Sequence, residues 1–268
     1  MESNSQNLES TTFDQLDPVR DYYSMTKEKL GNVYIFNHVT FDNKTLGPRY
    51  GSIKDCKDIE EVFQNLKFDV KTYNDLPYKK ILEELTQIAR MDYSSFDCLV
   101  IFVLTHGQNG KIFARDIAYY PDIYWKSFSN KPSFMYKPKL IFIQDSRGDE
   151  TDDETDYVIR IPPPVHKEHF TPISYTIPDV PDVLLMYSCY DEFLSWRSHS
   201  TGSSFVQRLC REFKLRAKSN DILTLLTFLN QIMSVDTYMA RNKINNEKRL
   251  STIVSTLTRL KMTVNDNQ

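Results

Sequence analysis

The period of the apolar positions switches between two and about 3.6 along this chain. "NVYIFNHVTF" (32–41) is rich in β-branched and aromatic residues and predicts a first strand. In "SIKDCKDIEEVFQNLK" (52–67) the apolar positions are Ile53, Cys56, Ile59, Val62, Phe63 and Leu66, a helical spacing with one buried stripe. "FDVKTYNDL" (68–76) predicts a short second strand, and "YKKILEELTQIARM" (78–91) a second amphipathic helix. "FDCLVIFVLTHG" (96–107) and "KPKLIFIQDSRG" (137–148) are apolar over most of their length, as strands of a parallel sheet covered on both faces should be. "VLLMYSCY" (183–190) predicts another strand. "SSFVQRLCREFK" (203–214) and "NDILTLLTFLNQIMS" (220–234) predict helices, and "LSTIVSTLTRLKMTV" (250–264) a final strand. This order predicts an α/β fold with a mostly parallel central sheet.

Two stretches lack the pattern. Residues 1–26 are polar, mostly without periodicity and too short for a domain, which predicts a disordered leader. Residues 149–181 open on the acidic "DETDDETD" and continue through the proline-dense "IPPPVHKEHFTPISYTIPDVPD" that ends at 182. Proline fixes φ and removes a ladder donor, so this stretch reads as a long exposed connector. The expected division is a leader (1–26), a large region (27–148), the connector (149–181) and a small region (182–268), with 27–268 forming one domain. No internal repeat is visible.

Composition narrows the function. Apolar residues make up 40% of the 268, enough for a substantial core, and the formal net charge of -3 gives no electrostatic case for nucleic acid or an anionic membrane. No apolar run approaches the roughly 20 residues of a membrane helix. The polar, acidic N-terminus is unlike a signal peptide. Cys56, Cys98, Cys189 and Cys210 lie far apart with no CxxC pair, so no metal is expected and a reducing cytosol is the default. Nor is a cofactor expected: with seven glycines, neither GxGxxG nor a P-loop occurs.

The candidate chemistry lies where two strands end, in "LTHG" (104–107) and "QDSRG" (144–148). Open α/β sheets bind ligands at the carboxyl ends of their strands. His106 and Ser146 would meet there, and a hydroxyl or thiol beside an imidazole is a nucleophile–base pair. Alternation along the strand puts Gln144 and Ser146 on one side and Asp145 on the other.

From about Gly31 to Val264 the chain resembles the caspase family. The resemblance rests on five motifs in order: "LGPRYGSIKDCKDIEEVFQNLKFDVKTYNDL", "THG", "KPKLIFIQDSRG", "FLSWRSHSTGSSFVQRLC" and "STIVSTLTRLKM". It implies a three-layer caspase-like fold with helices on both faces of the sheet, behind a short prodomain. It also implies a cytoplasmic protein of the apoptotic pathway, cut into two subunits and paired as a dimer through its final strand. The family's pocket for a substrate aspartate maps onto Arg49, Gln144 and Arg197, with Ser195 and Trp196 also assigned to substrate binding. Guanidinium forks suit a carboxylate, and a neutral amide adds a donor without repelling them. The oxyanion donors map onto the backbone N–H groups of Gly107 and residue 146. Asp156, closing "DETD", resembles a processing site; Asp153 and Asp182 are weaker candidates.

The nucleophile departs from the family. Its signature places a cysteine where this chain has Ser146. A thiol is acidic enough to give a thiolate beside a histidine; a hydroxyl is not. Asp145 stands where the family has a small residue, Thr105 replaces a serine, and Ser204 stands where an aromatic is common. Arg147 reads equally as structural or functional, and Cys189 reads as a small core residue near the site. These departures predict a protease-dead homologue that dimerises with an active caspase, or with itself, and modulates proteolysis. Two alternatives stand beside it: an active aspartate-specific cysteine endopeptidase represented by a Cys-to-Ser variant, and a decoy that binds Asp-containing peptides without cutting them.

Overall fold

The computed structural model describes residues 21–108, 110–146, 177–188, 197–198, 202–235, 238–240, 243–245, 251–259 and 261–263. The first half runs β1 (Gly31–Asn37), α1 (Gly51–Asn65), β2 (Phe68–Asn74), α2 (Tyr78–Arg90), β3 (Cys98–Gln108), β4 (Lys111–Phe113), β5 (Ala118–Tyr119), α3 (Ile123–Lys126) and β6 (Lys139–Ser146). After the connector come β7 (Val183–Tyr187), β8 (Arg197–Ser198), β9 (Gly202–Ser203), α4 (Ser204–Arg216), α5 (Ile222–Val235), β10 (Tyr238–Ala240), β11 (Lys243–Asn245) and β12 (Thr252–Ser255).

The main sheet has the order β12-β7-β6-β3-β1-β2. Every neighbouring pair from β7 to β2 is parallel, and β12 closes the other edge antiparallel to β7. Side-chain alternation sorts the strands onto two cores. Val33, Ile35, Val100, Phe102, Leu140, Phe142, Leu184 and Met186 pack with the apolar stripes of α1, α4 and α5. The intervening residues, Tyr34, Phe36, Ile101, Val103, Ile141, Ile143 and Leu185, pack with α2 and α3. The expected three layers, helices on both faces of a mostly parallel sheet, are present. β4 and β5 form a hairpin hanging antiparallel off the end of β3. At three and two residues they are too short to show a period in the sequence.

Two expectations need correction. The leader expected through residue 26 is already part of the fold at Asp21. Tyr22 bridges Lys261 in parallel, and Tyr23 and Met25 are buried in the α1/α4/α5 core. Of the final strand expected over 250–264, the described residues form a ladder with β7 from Thr252 to Ser255, and Lys261 makes the single bridge to Tyr22. Ser255 already stands opposite Leu184, so the β7 ladder runs out. Thr256 then bonds around the strand start: its N–H donates to Val183 O at 2.8 Å, and its hydroxyl to Val180 O at 2.7 Å. A buried carboxylate gathers the ends here. Asp182 accepts from the Tyr23 hydroxyl at 2.7 Å and from the Thr258 hydroxyl, while the Thr258 N–H donates to the Tyr23 oxygen at 2.9 Å.

Candidate active site at the carboxyl ends of the strands

The β3–β6 register sets the site. Leu104 stands opposite Gln144, Thr105 opposite Asp145, and His106 opposite Ser146. Neighbouring strands lie about 4.8 Å apart, so the dyad positions are direct neighbours. His106 is buried, and its Nε2 lies 2.7 Å from the carbonyl oxygen of Gly47. A carbonyl only accepts, so Nε2 carries the proton and the Nδ1 lone pair is the basic one. The ring also rests on Phe41, 4.8 Å between centroids, and Phe41 stacks on His38 beyond it. The loop supplying Phe41 and Gly47 is held at its start by Asp75, whose Oδ1 accepts from the N–H groups of Val39 at 2.6 Å and Thr40 at 3.0 Å. The Thr105 hydroxyl donates to Phe113 O at 2.5 Å, tying β3 to the hairpin.

Gly107 is a glycine for steric reasons. A Cβ there would lie 2.3 Å from Asp145 Oδ2 and 2.8 Å from Asp145 Cβ. Asp145 is buried beside it, and its carbonyl oxygen accepts from the Ser188 hydroxyl at 3.4 Å.

Two of the three residues expected to form the carboxylate pocket, Arg49 and Gln144, lie at the same edge. The backbone register Asn37–Leu104–Gln144 forms one row across β1, β3 and β6. His38 follows that row, donating its N–H to Leu104 O at 2.9 Å. Arg49, 1% exposed, donates through Nη1 to the His38 carbonyl at 3.0 Å. Gln144 is fully buried, its Nε2 3.5 Å from Asp145 O. Arg197 pairs by backbone with Ser203 in the β8–β9 hairpin, and its side chain lies outside the described residues. Arg147, Asp153, Asp156, Cys189, Ser195 and Trp196 also lie outside them. Asp182 is 2% exposed and tied to Tyr23 and Thr258 at the start of β7, a setting closed to a protease. Ser204 opens α4 with its hydroxyl oxygen buried and unbonded among the described residues. Among those residues no three His, Cys, Asp or Glu side chains cluster as a metal site.

Sequence reasoning missed Phe41, Gly47, His38 and Asp55. The Gly47 contact uses a backbone oxygen and leaves no side-chain signal. Asp55 did leave one: it falls on the buried stripe of α1 between Ser52 and Ile59, where an acid is out of place. It is fully buried, and burial raises its carboxyl to about 6, against the lowering effect of hydrogen bonds from Ser203 and Gln207 and the charge of Arg49. Burial likewise lowers His38 to about 4, with Arg49 adding to the effect.

These two groups act oppositely on stability. A lowered His38 contributes stability that is present above its ordinary value of 6.5 and lost as pH falls through about 4. A raised Asp55 contributes stability that is present below its ordinary value of 3.8 and lost as pH rises through about 6. At roughly 1.4 kcal/mol per unit, each is worth a few kcal/mol, and they largely cancel. Denaturant titrations at pH 5 and pH 7 should show His38→Gln gaining stability on acidification relative to the parent, and Asp55→Asn losing it. The same pH slope in all three proteins would refute the assignment.

The comparisons agree with this geometry. A family profile described as the caspase domain matches residues 31–262. Caspase drICE of Drosophila melanogaster is 36% identical over 243 residues, covering 89% of this chain and 71% of the relative. Caspase-1 of Spodoptera frugiperda is 36% identical over 251 residues, covering 89% and 80%. The crystal structure of that Spodoptera caspase-1 superposes with a TM-score of 0.78 at 34% identity, over 94% of this chain and 96% of the other. By fold, by strand-end motifs and by sequence, the chain belongs to the caspase family.

Proposed function

We propose that this chain is a peptidase-silent caspase homologue of the apoptotic pathway, one that pairs with an active caspase and modulates it in the cytosol. One observation carries the reading. The position opposite His106 is a serine, and the group facing His106 Nε2 is the neutral carbonyl of Gly47. Serine hydrolases place a carboxylate at the ring nitrogen turned away from the nucleophile, where it fixes the tautomer and stabilises the imidazolium that forms. A carbonyl does the first and does little of the second. It serves a thiolate–imidazolium pair, in which the nucleophile is already charged, better than it serves a hydroxyl.

Pairing is supported by the sheet edge. Among the described residues β12 pairs on one side only, with β7, and an edge strand is a template for a further strand. Retention of Arg49 and Gln144, both buried, supports a second reading in which the pocket still takes an aspartate side chain and the chain acts as a decoy.

The test of pairing is co-expression of the tagged chain with an active caspase. A heteromer should be recovered, and the partner's turnover should change. Thr256 donates to β7, so by alternation the Ser255 N–H points away from it. Ser255→Pro removes that outward donor and should lose both effects. A chain that stays apart from active caspases at tens of micromolar, with their turnover unchanged, would leave no support for a modulator.

A further inference from the structure

We infer that Asp55 is a positioning residue for the carboxylate pocket: it holds the hairpin carrying Arg197 against the helix that follows Arg49. The inference rests on the reading that Arg49 and Arg197 serve one carboxylate.

The geometry is specific. Asp55 lies in the second turn of α1 and is fully buried. Its two oxygens accept the Ser203 N–H at 2.9 and 3.1 Å, across 148 positions of sequence. Oδ1 also accepts from Gln207 Nε2 at 3.2 Å, and the same amide reaches Asp58 Oδ2 at 2.7 Å. Ser203 is the backbone partner of Arg197 in β8–β9, so the residue bound by the carboxylate is the one that registers Arg197. Ser203 also caps α4, its hydroxyl oxygen accepting from the Val206 N–H at 3.2 Å. The approach depends on Gly202, at φ 79°: a Cβ there would lie 2.3 Å from Asp55 Oδ1.

A buried carboxylate is a costly way to hold two elements together. An apolar residue on the α1 stripe would pack as well and avoid desolvation. What the carboxylate adds is direction: two oxygens aimed at one N–H fix where the hairpin begins, which apolar contact does not. Arg49 stands close enough to lower the Asp55 carboxyl, so the same charge bears on both halves of the pocket. The two halves come from opposite sides of the connector. The Asp55–Ser203 bond is therefore a non-covalent strut across the position where the chain is expected to be cut.

The test uses the full chain and a probe taken from its own sequence, acetyl-Asp-Glu-Thr-Asp-amide, with the Ala-terminated peptide as control. Affinity is measured by calorimetry and amide exchange is followed over 197–207. Asp55→Ala should weaken the Asp peptide at least tenfold and speed exchange in the hairpin. Asp55→Asn should recover both to within about threefold, since its Oδ1 can still accept from the Ser203 N–H and from Gln207 Nε2. Gly202→Ala leaves Asp55 in place and should behave like Asp55→Ala, which keeps the test valid if Asp55→Ala does not fold. If the parent binds both peptides equally, the pocket reading fails, and exchange alone decides. Faster exchange in Asp55→Ala with recovery in Asp55→Asn then supports the strut. Unchanged exchange in Asp55→Ala, or no recovery in Asp55→Asn, overturns the inference whatever the peptides do.

Discussion

Replacing Ser146 by cysteine is expected to raise cleavage of Asp-containing peptides by at least about 10³-fold, from a parent with no measurable turnover. The substitution places a thiol at the position opposite His106, as in the caspase signature. His106 is already buried, braced by Phe41 and held in one tautomer by Gly47. A thiol placed opposite it can pass its proton to Nδ1 and attack as a thiolate. A hydroxyl is far less acidic and relies on a carboxylate behind the base, as in the Ser-His-Asp triad. The assay compares the parent and Ser146→Cys as single-chain and proteolytically cut protein. Turnover by the parent at a rate near that of the cysteine variant would remove the basis for calling the chain silent. If the cysteine variant is also inactive, Asp145 is the residue to relieve. It is buried against Gly107, one of the two positions expected to supply oxyanion donors, and an ionised carboxylate there would oppose negative charge building up on a substrate. Ser146→Cys with Asp145→Ala should then show the activity.

Gly31→Ala should prevent the chain from folding stably. The added Cβ would stand 1.8 Å from the Cys98 carbonyl oxygen, and the obstacle is backbone in the next strand. Gly31 opens β1 and is in register with Phe68 on one side and Cys98 on the other. The Leu30 carbonyl just before it accepts the N–H groups of Asp97 at 2.8 Å and Cys98 at 2.9 Å, so the two strands cannot part to make room. A clash between central strands belongs with the rare substitutions that cost more than about 4 kcal/mol. Gly107→Ala is the control. Its obstacle is the Asp145 side chain, so the loss should be smaller and recovered in part by Asp145→Ala, which removes the carboxyl oxygen at 2.3 Å and leaves the Cβ at 2.8 Å. Solubility and thermal melts would distinguish the cases, and a Gly31→Ala protein melting within a few degrees of the parent would contradict this account.

The parts of the fold that repeat a period were legible in the sequence. β3 and β6 stand out because a strand covered on both faces must be apolar at every position, and α1 and α2 because a half-buried helix must alternate every three to four. Their ends brought His106 and residue 146 together without further information. What stayed hidden has no period. The Tyr22–Lys261 bridge is a single backbone pair, and the turn at Thr256 depends on where β7 happens to begin. Gly47 contributes only a carbonyl. Arg49 was placed by resemblance; its burial against the His38 carbonyl could not be read from composition. Asp55 is the instructive case: its place on an apolar stripe was visible, but Ser203, its partner, lies 148 positions away.

The cluster of Tyr23, Asp182 and Thr258 also bears on when the molecule can be finished as it is made. Thr258 and Tyr23 are 235 positions apart, and Lys261, which pairs with Tyr22, comes later still. A ribosome adding about 5–20 residues per second must keep the segment from Asp21 waiting some tens of seconds for its partners. Strands β1 to β3 and their helices can assemble early from near neighbours. The N-terminal strap is seated only after β12 and the residues behind it have emerged, so closing this edge of the sheet belongs among the late steps of folding, where contacts of long sequence separation are slowest to form.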